Sequence, residues 1–392
     1  MRIFVSEYVT TCDWLKAPLD SLNAIESLQF IASQLTANSL ALEGLGMLTA
    51  VVADLARIPD VEVHVTRYAR ATEPLYDYAL RCAYARQRCE LDLKTLSKLD
   101  ISQFDNRIVW HDVTSADSER QCFNRLAAEC DATLIIAPEF RGILTERCRW
   151  VEQAGGRLLG PSSTDVEICT DKLALSQKLQ SCAVPTIDTY EIDVRAPAAD
   201  LPFPVVIKPR DGAGSQATYL VHNRMELAWL LPSLRSESML ANAIWQPFIR
   251  GQALSVGVLV PGVAGKQVDA LPVCEQTLSH DGRFHYYGGH VPARCDRAAE
   301  VQRVATEACQ NVSGLRGYVG VDLILPEDSA LSPVVVEINP RLTTSYLGYQ
   351  TLCEDNLAER MLFPDCQTAP LWFRKKQIVF MPPFGAFASD GG

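Results

Sequence analysis

Apolar residues in the first part of the chain come in short runs separated by sets at helical spacing. Ile3, Phe4 and Val5 form a compact run that reads as a strand over residues 2 to 5. Ser39 is placed to cap a helix in which Leu45, Leu48, Val52 and Leu55 recur on one face. Val61 to Val65 and Ala132 to Ala137 read as further strands. The second leads through Pro138-Glu139 into an amphipathic stretch ending at Ala154, and Gly155-Gly156 precedes another short strand, Arg157 to Leu159. Strands alternating with helices predict a parallel α/β layer closing near Gly160-Pro161.

From residue 170 the texture changes. A helix is expected from Thr170-Asp171 to Ser181, and Val184-Pro185 opens an extended segment. Phe203 to Pro209 and Ala217 to Val221 flank the turn-rich Arg210-Asp-Gly-Ala-Gly-Ser215, a length that suits an antiparallel hairpin. A second hairpin runs from Val319 to Leu325 and returns through Pro333 to Asn339.

Composition narrows the class. A chain of 392 residues exceeds what one core serves, and 48% hydrophobic with 21% charged residues is ordinary globular composition. A net charge of −11 repels nucleic-acid backbones and acidic membranes, leaving room only for a local basic pocket. The thirteen cysteines are odd in number and form no CxxC pair, as expected of thiols kept reduced in a cytoplasm. Glu7 interrupts the stretch where an export signal would be building, and no run of about 18 uncharged apolar residues occurs, so neither export nor a membrane span is expected. Residues 67 to 98 have helical character and carry Arg67, Arg70, Arg81, Arg86 and Arg88, which read as a solvated face before a phosphate or nucleic-acid contact.

Two constellations carry chemistry. Lys208-Pro209 is followed by Gly212, Gly214 and Ser215, which suits a lysine beside a flexible, amide-rich turn that meets phosphate oxygens. A glycine-rich turn without any ligand has the same signature, and neither GxxxxGK[ST] nor GxGxxG after the first strand is present. In the second hairpin, a turn centred near residue 329 sets Asp322 opposite Glu337 within one residue of register. Glu337 and Asn339, two apart, emerge on one face of their strand. Two carboxylates and an amide oxygen make a hard site suited to Mg2+; the alternative is an acid pair facing water. Arg341 follows at once, either to clamp a phosphate or carboxylate or to balance charge. Cys274, His280, His285, His290 and Cys295 cluster in sequence, but their spacings match no zinc motif; Gln276 and Tyr286-Tyr287-Gly288-Gly289 read as pocket lining or as a turn between strands.

Together these motifs resemble the ATP-grasp superfamily, which includes D-alanine:D-alanine ligase, carbamoyl-phosphate synthetase and biotin carboxylase, over roughly residues 160 to 365. The resemblance implies an N-terminal Rossmann-like pre-ATP-grasp α/β domain at 1–160. A small lobe with a phosphate-covering loop would follow at 161–245, and a large lobe with the magnesium site at 246–392, both lobes built on antiparallel sheets. It implies Lys172 and Lys208 on the nucleotide phosphates and Gly212, Gly214 and Ser215 in the lid. The segment Gln246-Pro-Phe248-Ile249 would hold adenine, and Asp322, Glu337 and Asn339 would ligate Mg2+, with Mn2+ as a substitute. Lys208, Asn339 and Arg341 would be catalytic, Arg341 lying beside the acyl-phosphate. Gln252 stands where the family often has an acid for ribose, a departure that either puts ribose recognition in question or leaves more of that work to the backbone.

A closer resemblance, to the tyramine-glutamate ligase family of methanofuran biosynthesis and its bacterial relatives, rests on Met-Arg-Ile-Phe-Val-Ser-Glu-Tyr-Val at the start, Ser39 to Met47, and Ile136-Ala-Pro-Glu139. It implies an ATP-dependent carboxylate-amine ligase acting through an acyl-phosphate with no covalent enzyme nucleophile, glutamate being the acyl donor. The implied partners are small-molecule carboxylate and amine substrates, not nucleic acid or membrane, and a homodimer is compatible. The arginine-rich segment departs from that family and points to a different amine. Two other functions remain open at this point: a nucleotide-binding scaffold or sensor without turnover, and an ATP-grasp kinase that stops at phosphoryl transfer.

Overall fold

In the computed structural model, which describes residues 1–9, 11, 39–68, 106–193, 201–212, 214–236, 242–262, 268–364 and 369–380, the first apolar run is strand β1 (Arg2–Glu7). It lies at the centre of a parallel sheet of order β3-β2-β1-β4, with β2 Glu62–Tyr68, β3 Ile108–Val113 and β4 Ala132–Ile136. Helix α1 (Ser39–Arg57) buries Leu45, Leu48, Val52 and Leu55 against one face, each contributing about 1.5–3 kcal/mol. On the other face, α2 (Ala116–Glu129) and α3 (Ile143–Gln153) cover Phe4, whose ring meets Phe123 edge-on at 5.2 Å. The layer is doubly covered, as its all-parallel sheet requires.

Two corrections apply to this layer. Arg157 to Leu159 is not a strand, because only Leu158 forms a single parallel bridge, to Thr133. Conversely, β3 and α2 went unread in the sequence, since Ile108-Val-Trp-His-Asp-Val113 mixes polar and apolar residues without clean alternation. The arginine-rich stretch beyond Tyr68 lies outside the described residues.

Helices α4 (Ser163–Thr170) and α5 (Lys172–Ser181) lead to a four-stranded sheet of order β5-β8-β6-β7. Its strands are β5 Tyr190–Ile192, β6 Val205–Pro209, β7 Tyr219–Val221 and β8 Ala243–Pro247, covered by α6 (Arg224–Ser236). As expected, β6 and β7 pair antiparallel around the glycine-rich loop.

The largest sheet has seven strands in the order β14-β13-β9-β11-β12-β15, with β10 on β9. They are β9 Gly251–Val260, β10 Asp269–Ala270, β11 Cys274–Leu278, β12 Tyr286–Val291, β13 Gly317–Pro326, β14 Val334–Asn339 and β15 Ile378–Phe380. Helix α7 (Ala298–Asn311) packs on one face. Helices α8 (Ser345–Leu352) and α9 (Leu357–Leu362) pack on the other and share a core with α1. Buried Asp54 of α1 accepts from Tyr346 Oη at 2.7 Å and Gln350 Nε2 at 3.0 Å, both on α8, so polar groups as well as apolar ones fix the N-terminal layer onto the large sheet. The chain is thus a parallel α/β layer followed by two antiparallel sheets. Among the described residues, no helix is long and apolar enough to cross a membrane.

Candidate active site

The large sheet sets the acid pair. In the β13–β14 hairpin Asp322 is the register partner of Glu337, and the pairing slips just after Asp322, a local irregularity of the kind that re-aims side chains at sheet sites. On its other side Asp322 faces Ser255 of β9, and Gln276 Nε2 of β11 donates to Asp322 Oδ1 at 3.1 Å. Asn339 Nδ2 donates to Asp322 Oδ2 at 3.1 Å. Burial and the facing Glu337 push Asp322 up to about 7. Burial works on Glu337 in the same direction, but Lys172 and Lys208 outweigh it and hold that carboxyl below its ordinary range.

Both lysines are nearly buried, for different reasons. Asp171 caps α5 by accepting from Leu173 N at 3.1 Å and Ala174 N at 3.0 Å, which starts the helix with Lys172 directed inward. Lys172 Nζ donates to Gly212 O at 3.0 Å and lies 3.4 Å from Glu337 Oε2, joining the glycine-rich loop to the acid pair. Lys208 ends the central strand β6, and burial together with neighbouring Lys172 pushes its ammonium down to about 8. Two cations held this close have an obvious use for an anion between them.

The glycine-rich loop closes over this centre. Gly214 and Ser215 have φ of 64° and 58°, left-handed values that glycine adopts freely and serine does not. Asp211 Oδ2 accepts from Arg141 N at 3.1 Å, so the loop is also tied to the N-terminal layer. Beneath it lies a cavity of about 510 Å3, lined by Lys172, Lys208, Asp322, Glu337, Asn339, Arg341 and the other residues that the family resemblance assigned to nucleotide, metal or catalysis, except Gln252. Gln246, Phe248 and Ile249 are among the lining residues; Phe284 stacks on Phe248 with ring centroids 6.2 Å apart. Gln246 is buried and spends its amide on Thr189 Oγ1 at 2.9 Å.

Gln252 turns away from the cavity. Its Nε2 donates to Glu275 Oε2 at 2.7 Å and Arg294 O at 3.3 Å, and Glu275 is the acid that lines the cavity in this region. The Cys/His stretch disperses: Cys274 is buried on β11, His290 pairs with Glu275 at 3.2 Å, and His280 lines the cavity. Of the tyrosine-glycine stretch, Tyr286 lines the cavity, with its hydroxyl 3.0 Å from Thr344 Oγ1.

A profile of the ATP-grasp domain matches residues 169–345, and a pre-ATP-grasp domain profile matches residues 93–166. This chain belongs to the ATP-grasp superfamily. It is similar to the tyramine--L-glutamate ligase of Methanocaldococcus fervens, 30% identical over 59% of this chain and 65% of that protein, so the chain spans just under two thirds of that relative. The corresponding protein of Methanocaldococcus jannaschii is 27% identical over 75% of this chain and 84% of its own length. Among solved structures, an Archaeoglobus fulgidus protein described as a putative ATP-grasp superfamily protein superposes with a TM-score of 0.59 at 24% identity, covering 92% of this chain and 88% of its own.

An ATP-grasp site needs a magnesium ion, and the donor set fits one. Asp322, Glu337 and Asn339 offer hard oxygens from adjacent strands, and all three line the cavity beneath the glycine-rich loop. Two acids, one paired with a cavity-lining arginine and one lining the cavity, were not nominated from the sequence. Glu139 follows β4, and its Oε2 lies 2.7 Å from Arg341 Nη2. Its place just beyond the carboxyl end of a parallel strand is where such sheets carry functional side chains, a signal that was available. Glu43, on α1, also lines the cavity; its signal is that it is the sole charge between Ser39 and Ala53.

Proposed function

We propose that this protein is an ATP- and Mg2+-dependent ligase that joins a carboxylate to an amine through an acyl-phosphate, with glutamate as the acyl donor and a tyramine- or tyrosine-like amine as acceptor. The observation that carries the reading is the convergence of Lys172, Lys208, Asp322, Glu337, Asn339 and Arg341 in one cavity beneath a glycine-rich loop. The two tyramine--L-glutamate ligase relatives support the choice of substrates.

In this reading Lys172 and Lys208 hold the phosphates, and the Gly212–Ser215 loop excludes water from them. Asp322, Glu337 and Asn339 would hold magnesium, which supplies charge neutralisation for the transferring phosphoryl group when bound. The substrate carboxylate oxygen bonds to the γ-phosphorus as the bond to the β-phosphate oxygen breaks, releasing ADP. Arg341, braced by Glu139, stabilises the acyl-phosphate oxygens. The amine nitrogen then bonds to the acyl carbon and phosphate leaves.

The test is ADP release by the purified protein with ATP, Mg2+ and L-glutamate, adding tyramine and tyrosine in turn and reading products by mass. An amide-mass product supports the reading. A phosphorylated product that accumulates without amine would convert it to a kinase, and ATP binding without turnover to a scaffold.

A further inference from the structure

The cavity has a carboxylate that the phosphoryl-transfer half of the reaction does not use. Glu43 lines it from α1, within electrostatic reach of Arg341 and of the Tyr286 hydroxyl. Among the described residues it makes no hydrogen bond or ion pair. Arg341 acts on it only through space, its Nη2 and Nη1 being directed to Glu139 Oε2 at 2.7 Å and Leu342 O at 2.9 Å. One turn earlier in α1, Leu40 Cδ2 lies 3.8 Å from where a Cβ on Gly214 would sit, so the tip of the glycine-rich loop reaches α1 and Glu43 belongs under the closed lid. A half-buried carboxyl lining a cavity without a hydrogen-bond partner among the described residues calls for a cation from the ligand.

We infer that Glu43 is the carboxylate that receives the amine substrate as its ammonium ion and takes the proton that must leave before the nitrogen attacks. This rests on the ligase reading above. A primary alkylamine has a pKa of about 10, so it arrives protonated and cannot act as a nucleophile until a base relieves it. The first proton passes from the ammonium to the Glu43 carboxylate and on to solvent. The nitrogen lone pair forms the C–N bond, the C–O bond to phosphate breaks with its electron pair on the phosphate oxygen, and the departing phosphate takes the second proton. Burial, opposed by Arg341, pushes Glu43 up to about 7, which suits a base that must accept and release a proton near neutrality. The substrate class follows: the acceptor is a cationic primary amine, with its charged end directed toward α1.

The test compares Glu43→Gln with wild type in two assays, each containing ATP, Mg2+ and L-glutamate. Tyramine is the acceptor in one and hydroxylamine in the other. Hydroxylamine is uncharged at neutral pH, needs no base, and traps the acyl-phosphate as a hydroxamate. The expected result is a fall of about 100-fold or more in amide formation with hydroxamate formation near the wild-type rate. Glu43→Asp, which keeps the carboxylate on a shorter stem, should recover part of the amide rate and guards against a folding defect in the first variant. Equal losses in both assays, or no loss in either, overturn the role of Glu43 and leave the ligase reading standing. Absence of hydroxamate with the wild type would overturn the ligase reading with glutamate, and this inference with it.

Discussion

Glu139 Oε2 lies 2.7 Å from Arg341 Nη2, so an acid beyond the last strand of the N-terminal layer braces the arginine that follows the β13–β14 hairpin. Arg341 Nε and Glu139 Oε1 are both buried without a hydrogen-bond partner, which leaves each group a free valence inside the site. Glu139→Ala strips a buried guanidinium of its counterion and should cost about 3–5 kcal/mol. Glu139→Gln keeps the shape, so urea unfolding should change less while kcat falls by roughly 100-fold. Wild-type kcat in the glutamine variant would reject the bracing role.

Lys208→Ala and Glu337→Ala should each lower ADP release by roughly 100- to 1,000-fold. Far-ultraviolet circular dichroism should be unchanged, because both side chains line the cavity rather than fill a core. Wild-type turnover in either variant would refute the site assignment.

Asp171 links stability to the site. It caps α5 and accepts from Arg210 Nε at 2.7 Å and Nη2 at 2.6 Å. Burial opposes its ionisation, but Arg210 and the backbone N–H groups outweigh burial and hold its pKa below the ordinary value. The folded value therefore lies below the unfolded one. The stabilisation is complete above the unfolded pKa of about 3.9 and is lost as pH falls through the folded value. Asp171→Ala should cost about 1 kcal/mol at pH 7 through loss of the cap alone. Urea midpoints measured at pH 7 and near pH 3 should show the gap from wild type narrowing in acid; a constant gap would contradict the linkage.

Gln252→Glu places an acid where the family resemblance led one to be expected, yet it should not tighten ATP binding. The new carboxylate would sit against Glu275 Oε2, now 2.7 Å from the Gln252 amide, and like charges so placed cost on the order of 0.5–1 kcal/mol. A lower melting temperature with unchanged or weaker ATP affinity is expected. Tighter ATP binding would mean that residue 252 reaches the nucleotide.

What the sequence determined by itself was local. Alternation and turn length were enough to set Asp322 against Glu337, because side chains on a strand repeat every two residues and a hairpin fixes its own register. The helix start near Thr170-Asp171 and the lysine closing β6 were legible for the same reason, each depending on residues a few positions away. Where the pattern was mixed, as in β3, local reading failed, and Arg157 to Leu159 looked like a strand because apolar content alone does not reveal whether a neighbour is there to pair with it. Only the tertiary structure decided what meets across long separations. Glu139 and Arg341 are 202 residues apart, and Gln252 meets Glu275 across two neighbouring strands. Glu43 reaches the cavity because apolar and polar contacts seat α1 on α8. Such meetings depend on how whole layers pack, and packing sums many weak contacts that no short window of sequence contains.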